Sequence, residues 1–225
     1  MRFKSFVFIL AIFLSSCASV PQFRAVAASN DGCLHDSGKQ KLRSEEIQAL
    51  AKSDQLDRQS PMESINWSKV LAQDELRRKR IGEIFGEGCL TSADDYSAAA
   101  LIYQHGIVPD HYFQAFLWSK KAFELGNSWE GHSIANGIDR YLVSIGYKQI
   151  FGTQFSQGSS TKLWCIEPIE ESFPESKRVQ YLKKNLKESI GDFLKFYNFT
   201  QTSDDVPSCN HSLKASPAGT VPGFW

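Results

Sequence analysis

Ile134-Ala-Asn-Gly-Ile138-Asp-Arg-Tyr141-Leu142-Val-Ser-Ile145-Gly146 is the stretch that decides the fold class of this chain. Its large apolar side chains fall at offsets 0, 4, 7, 8 and 11. That is the period of one face of an α-helix, so the stretch predicts a helix that buries one stripe and stops at Gly146. The same punctuation recurs upstream. Gly86, Gly106, Gly126 and Gly146 stand 20 residues apart, each behind a helix-like stretch. Helix, short turn, helix, repeated, places consecutive helices as antiparallel neighbours. The expected fold is mainly α: a stack of antiparallel helical hairpins.

The flanking elements follow from local signals. Ser44-Glu45-Glu46 reads as an N-cap with acids in the first turn, leading into Ile47, Leu50 and Ala51. A second helix is expected over 67–85, after Pro61. Its basic run Arg77, Arg78, Lys79 and Arg80 lies among Asp74, Glu75, Glu83 and Glu87, so it reads as a solvated face rather than a contact for anionic lipid. Ser92 with Asp95 three residues on is a capping-box start, and Pro109 opens a helix that ends at Gly126-Asn127. Over 149–166 the period changes. Phe151, Thr153 and Phe155 alternate, Ser156-Gln157-Gly158-Ser159 is a turn, and Leu163 to Ile166 reads as a partner strand, giving one small β-hairpin. One long helix is expected over 175–197, a core-packing stripe with an interfacial membrane helix as the other reading. Residues 200–225 are polar with Pro and Gly, the composition of a loose tail.

The start of the chain carries a different signal. Met1-Arg2-Phe3-Lys4 is basic, and Phe6 to Leu14 is an unbroken apolar run of nine residues. A spanning helix needs roughly 20, so the run has the length of a signal-peptide core. It ends in Leu14-Ser15-Ser16-Cys17. This resembles the lipobox of bacterial lipoproteins: an aliphatic residue, two small residues and the cysteine that is acylated. The resemblance implies removal of residues 1–16 and a membrane partner held through lipid on Cys17. Ala18 follows the cysteine, where aspartate would mark inner-membrane retention. The implied address is the cell envelope, at the outer membrane facing the periplasm. Residues 17–42 then read as a flexible tether, and 43–199 as the helical domain.

Two further resemblances concern the body. The block 115–127 is similar to the second half of a Sel1-type or tetratricopeptide unit, without a second copy 34 to 36 residues away. Gln104-His105-Gly106, then Asp139-Arg140-Tyr141-Leu142, then Gln149-Ile150-Phe151-Gly152-Thr153-Gln154-Phe155 resemble, in order, blocks of an uncharacterised, mainly helical bacterial family. That family has a tyrosine where this chain has Phe151. The resemblance implies fold and no activity.

Composition narrows function. Signal removal takes Arg2 and Lys4 and no acid, so the mature chain holds 23 basic against 25 acidic side chains, a net charge of −2. That balance gives no footprint for a nucleic-acid partner. Cys33, Cys89, Cys165 and Cys209 remain, an even number in an oxidising compartment, which suggests disulfides. The polar flanks of Cys33 and Cys209 favour a staple between them, leaving Cys89 and Cys165 to pair or to stay as buried thiols. The pairs Cys33-Leu34-His35 and Cys209-Asn210-His211 could together offer zinc two sulfurs and two nitrogens. The spacing within each pair is not that of paired zinc ligands, and the disulfide reading is preferred. No metal or cofactor is expected.

There is no Gly-x-Ser-x-Gly, phosphate loop or His-Glu-x-x-His. The candidate polar pocket is His105, Asp139, Arg140, Gln149, Thr153 and Gln154, which could bind a polar ligand or perform acid–base work. The competing reading makes these residues ties between hairpin and helices. The leading functional expectation is an anchored helical domain that binds a protein or cell-wall component. The alternative is a small hydrolase or ligand-binding enzyme using the His105 pocket.

Overall fold

A computed structural model describes residues 32–157, 164–196 and 199–225. Cys17 and its motif lie outside the described residues. Among the described residues the chain is mainly helical with one two-stranded antiparallel hairpin, as the sequence predicts. The elements are α1 (Ser37–Leu56), α2 (Trp67–Gly86), α3 (Ala93–Gln104), α4 (Pro109–Glu124), α5 (Gly131–Ser144), β1 (Phe155–Gln157), β2 (Trp164–Ile166), α6 (Glu175–Leu182) and α7 (Leu186–Phe196). Among the described residues no helix is long and apolar enough to cross a membrane.

Helix starts follow their caps. Ser92 and Asp95 form the expected capping box, and α4 carries Pro at its first turn. Two starts differ from expectation. α1 begins at Ser37, because the Asp36 side chain accepts the Lys39 N–H at 2.9 Å. Cys33 is also bonded to Cys89, so the folded part opens ahead of residue 43, and residues 37–42, expected in the tether, belong to α1. The single helix expected over 175–197 is instead two, α6 and α7, over 175–182 and 186–196. Lys183 turns left-handed with φ of 61°, and Asn185 then caps α7 by accepting the Glu188 N–H at 2.9 Å.

Consecutive helices pack as neighbours, α3 on α4 and α4 on α5, with α1 lying across α2 and α3. One core joins Ile47, Ile81, Ile84, Ile102 and Trp118. A second gathers Phe116, Ile134, Ile138, Leu142, Phe151, Phe173 and Phe224. The helices meet closely: a Cβ on Gly137 would stand 2.9 Å from the Phe116 nitrogen, and one on Gly131 would stand 1.9 Å from the Tyr181 carbonyl oxygen. Neither position tolerates a side chain without backbone movement.

Residues 199–225 are a packed strap rather than a loose tail. The Lys148 N–H donates to the Lys214 carbonyl, the Lys214 N–H donates to the Gly146 carbonyl, and the Cys209 N–H donates to the Ile166 carbonyl. Val221 and Phe224 are buried in the second core, and the Trp225 indole donates to the Ser216 carbonyl at 2.7 Å. The strap has little apolar period because it runs as irregular backbone, each stretch tied separately.

The disulfides are Cys33–Cys89 and Cys165–Cys209, with Cα separations of 5.1 and 4.9 Å. The expected Cys33–Cys209 staple is wrong. Each flank is bonded to its own half of the molecule: the front to the loop after α2, the strap to β2. Each bridge removes loop-closure entropy on the order of 4 kcal/mol from the unfolded chain. Peptide mapping without reductant is expected to recover these two pairs. Cys165→Ser with Cys209→Ser is expected to cost about 2–4 kcal/mol in urea unfolding; a Cys33–Cys209 crosslinked peptide would contradict the fold.

The basic run of α2 is also corrected. Arg77 and Arg78 are buried, not solvated. Arg77 pairs with Asp74 at 3.0 Å and with Asp57, while Arg58 reaches Asp54 and Asp74. Arg78 donates to the His105 carbonyl at 2.8 Å. Only the outer side of the run faces water, where Arg43 and Arg80 bridge Glu46, Glu83 and Glu87. A hydrogen bond from Arg80 holds the Glu46 carboxyl below its usual range, and one from Arg43 does the same for Glu87. At Asp54 burial raises the pKa, but the contacts from His105 and Arg58 outweigh it and the net shift is downward. All three ionise more readily folded than unfolded. Their contribution is therefore complete above about pH 4.5 and fades as acid protonates them. The urea midpoint is expected to fall below that pH, and to fall less in Glu46→Gln with Glu87→Gln.

Candidate binding cleft

α5 has two working faces. Ile134, Ile138 and Leu142 enter the core. His132, Asn136 and Arg140, spaced four apart on another side, line a cleft of about 640 Å³. α7 supplies the facing wall through Ser189, Asp192, Phe193 and Phe196. Phe155 and Trp164 come from the hairpin, Thr153 and Gln154 from the loop before it, Gln104 from the end of α3, and Phe199 from the start of the strap. The volume lies within the ~300–1,000 Å³ of small-molecule sites.

The aromatic part is ordered as two stacks. Phe155 lies on Phe193 at 4.2 Å between centroids and 7° between planes. Trp164 lies on Phe199 at 4.6 Å and 20°. The hairpin register, Phe155 opposite Ile166 and Gln157 opposite Trp164, fixes where the two ring pairs stand.

Behind the cleft wall is Asp139. It is fully buried, and its oxygens accept the N–H groups of Ile150 (2.8 Å), Phe151 (3.0 Å) and Thr153 (3.0 Å) and the Thr153 hydroxyl (2.9 Å). Burial pushes its carboxyl above the usual range, while these donors pull the other way. Gln149, also buried, donates to the Gln154 and Glu167 carbonyls and accepts the Gln154 N–H at 2.8 Å. The loop is thus pinned from both sides, presenting Thr153 and Gln154 to the cleft. Arg140 donates to the Gln104 carbonyl at 2.7 Å and to the Gln154 side-chain oxygen at 3.3 Å. Asp192 is paired with Lys184, whose hydrogen bond lowers its pKa.

The six expected pocket residues do not form one site. Arg140, Thr153 and Gln154 line the cleft. Asp139 and Gln149 are structural ties behind it. His105 belongs elsewhere: its Nδ1 lies 2.9 Å from the buried Asp54 of α1, so it joins α3 to α1. The zinc reading fails as well, because Cys33 and Cys209 sit in separate disulfides. Glu167, Cys209 and His211 do gather, but the Cys209 sulfur is taken, and His211 Nδ1 contacts Glu167 Oε2 at 2.8 Å.

Sequence reasoning missed His132, Asn136, Ser189, Asp192, Phe193 and Trp164. A signal existed for the first two: with Arg140 they form a polar stripe at helical spacing on the helix with the clearest apolar period.

Three groups in the cleft are unengaged. Among the described residues the side-chain amides of Gln104 and Asn136 make no hydrogen bond, and Ser189 Oγ is shielded from solvent without a partner. Groups of this kind are costly to leave unpaired and are met by a ligand or by water.

No protein-family model, curated protein or solved structure matches this chain.

Asp139→Asn keeps the shape but turns an amide N–H toward a backbone donor. It is expected to cost about 3 kcal/mol in urea unfolding, against about 1 kcal/mol for Thr153→Val, which removes one donor. Equal losses would mean the carboxylate does not organise the loop.

Proposed function

We propose that this chain is a lipid-anchored domain of the bacterial envelope that binds an envelope component in the cleft between α5, α7 and the hairpin. The observation that carries the reading is the cleft: aromatic stacks line it together with half-buried amides that have no hydrogen-bond partner among the described residues. Two bridged cysteine pairs accord with an exported chain, and the Leu14-Ser15-Ser16-Cys17 motif supplies the anchor. Several acyl chains hold a protein on a bilayer where one does not. Ala18 in place of aspartate directs the anchor to the outer membrane, with the domain in the periplasm. Binding is preferred to hydrolysis because the residues gathered for acid–base chemistry are divided. His105 is committed to Asp54, and Asp139 is committed to the loop it accepts from.

Fractionation tests the anchor, and crosslinking tests the cleft. Wild-type chain is expected in membranes and Cys17→Ser in the soluble fraction. Asn136→Trp, which fills the cleft, is expected to stay in membranes and to lose crosslinked envelope material. Membrane partition of Cys17→Ser, or unchanged crosslinking of Asn136→Trp, would overturn the corresponding half of the reading.

A further inference from the structure

We infer that the cleft takes a neutral oligosaccharide carrying N-acetyl groups. This rests on the cleft being the binding site and adds the chemical class of what enters it. Three features of the lining select that class.

The first is flatness. Phe155 with Phe193, and Trp164 with Phe199, are stacked to within 7° and 20°, so each pair covers its inner faces and has its outer faces and edges to offer the cleft that all four residues line. Phe196 beside them is 77% exposed. The apolar C–H face of a pyranose ring is flat and covers such a surface, as does an acetyl methyl group.

The second is charge. Arg140 is engaged by the Gln104 carbonyl and the Gln154 side chain, and its guanidinium stands 5.7 Å from the Tyr112 ring. Asp192 is engaged by Lys184. Arg140 and Asp192 are opposite in sign and each is already engaged, Arg140 by neutral acceptors and Asp192 by a lysine, with His132 near enough to Asp192 to act on it. A phosphorylated or strongly acidic ligand would have to compete with those contacts, whereas a neutral one leaves them in place.

The third is the polar inventory. Gln104 and Asn136 each offer two N–H donors and a carbonyl acceptor, and Ser189 offers a hydroxyl. Hydroxyl and acetamido groups both give and receive hydrogen bonds, so they match primary amides in both senses. A purely hydrocarbon ligand would strand these groups and lose affinity. Aromatic faces beside mixed donor–acceptor amides, without a net charge to satisfy, are what a sugar with acetamido substituents requires.

Calorimetric titration of the full chain in detergent with a β-1,4-linked N-acetylglucosamine trimer tests the assignment. Saturable one-site binding is expected. Trp164→Ala and Asn136→Ala are each expected to weaken it at least tenfold. Phe196→Ala, whose ring is already in solvent, removes an aromatic face without taking a side chain from the core and is expected to weaken it several-fold. Leu76→Ala, on the outer face of α2, is expected to bind like wild type. Melting curves establish that each variant is folded. No saturable binding, or unchanged binding in folded Phe196→Ala, overturns the assignment. So does tighter cleft binding of an N-acetylated aromatic tripeptide than of the sugar. If the trimer fails while envelope material still crosslinks in an Asn136-dependent way, the saccharide class falls and the binding reading stands. If both fail, both fall.

Discussion

The carboxylate of Asp139 is the interaction on which the rest of the second half depends. It sits fully buried on the helix that decides the fold, and it receives four donors from the turn that follows. A buried carboxylate without partners would cost several kcal/mol, and three backbone N–H groups turned inward without an acceptor would cost comparably. Neither is tolerable alone, so each fixes the other. The turn at 150–153 can only close where the carboxylate is. Ile150 and Phe151 are thereby driven into the core, and Phe155 is delivered to the start of β1.

The consequence reaches the cleft. Arg140 is the next residue along α5, so it points away from the buried side while Asp139 points in. The loop that Asp139 holds then brings Gln154 to Arg140, and Arg140 reaches on to the end of α3. One face of α5 organises the core and the neighbouring face organises the cleft. Gln149 repeats the device from the other end of the loop. Because the cleft wall is built on these ties, its geometry is set before any ligand arrives, which reduces the ordering cost of binding.

Legibility followed the regularity of the backbone. The stripe of α5, the capping box of Ser92 and the proline of α4 could be read because each is a local rule with a fixed offset. The break between α6 and α7 was legible in principle. Asn185-Leu-Lys-Glu188 is a capping pattern, but the continuous apolar stripe over 175–197 hid it. The strap was not legible. Val221, Phe224 and Trp225 have no period, and their burial comes from where the irregular backbone is tied. The cysteine pairing failed for a related reason: position in a flank says that a residue is near an end, not which element that end packs against. The basic run on α2 was misread because sequence proximity to acids was taken for solvent neutrality. In space, the acids that matter most for Arg77 are Asp57 and Asp74, one of them on the far side of the α1–α2 turn.

The candidate site was half legible for a physical reason. Asp139, Arg140, Gln149, Thr153 and Gln154 are close in sequence, and polar residues close in sequence around a turn are good candidates for mutual contact. Their chemistry does not say which of them face inward. Burial sorts them: Asp139 and Gln149, whose side chains find their partners in the N–H and C=O groups of the turn, in Thr153 and in the Glu167 carbonyl, became ties, and Arg140, Thr153 and Gln154 reached the surface of the cleft. His105 entered the same list through the order of motifs, not through space, and α1 claimed it with Asp54. A polar stripe on an amphipathic helix is ordinarily a solvated face. Here α7 and the hairpin cover it, and covering a polar stripe with aromatic rings instead of apolar helix leaves room between them. The cleft exists because the side of α5 that could not enter a dry core was roofed without being filled.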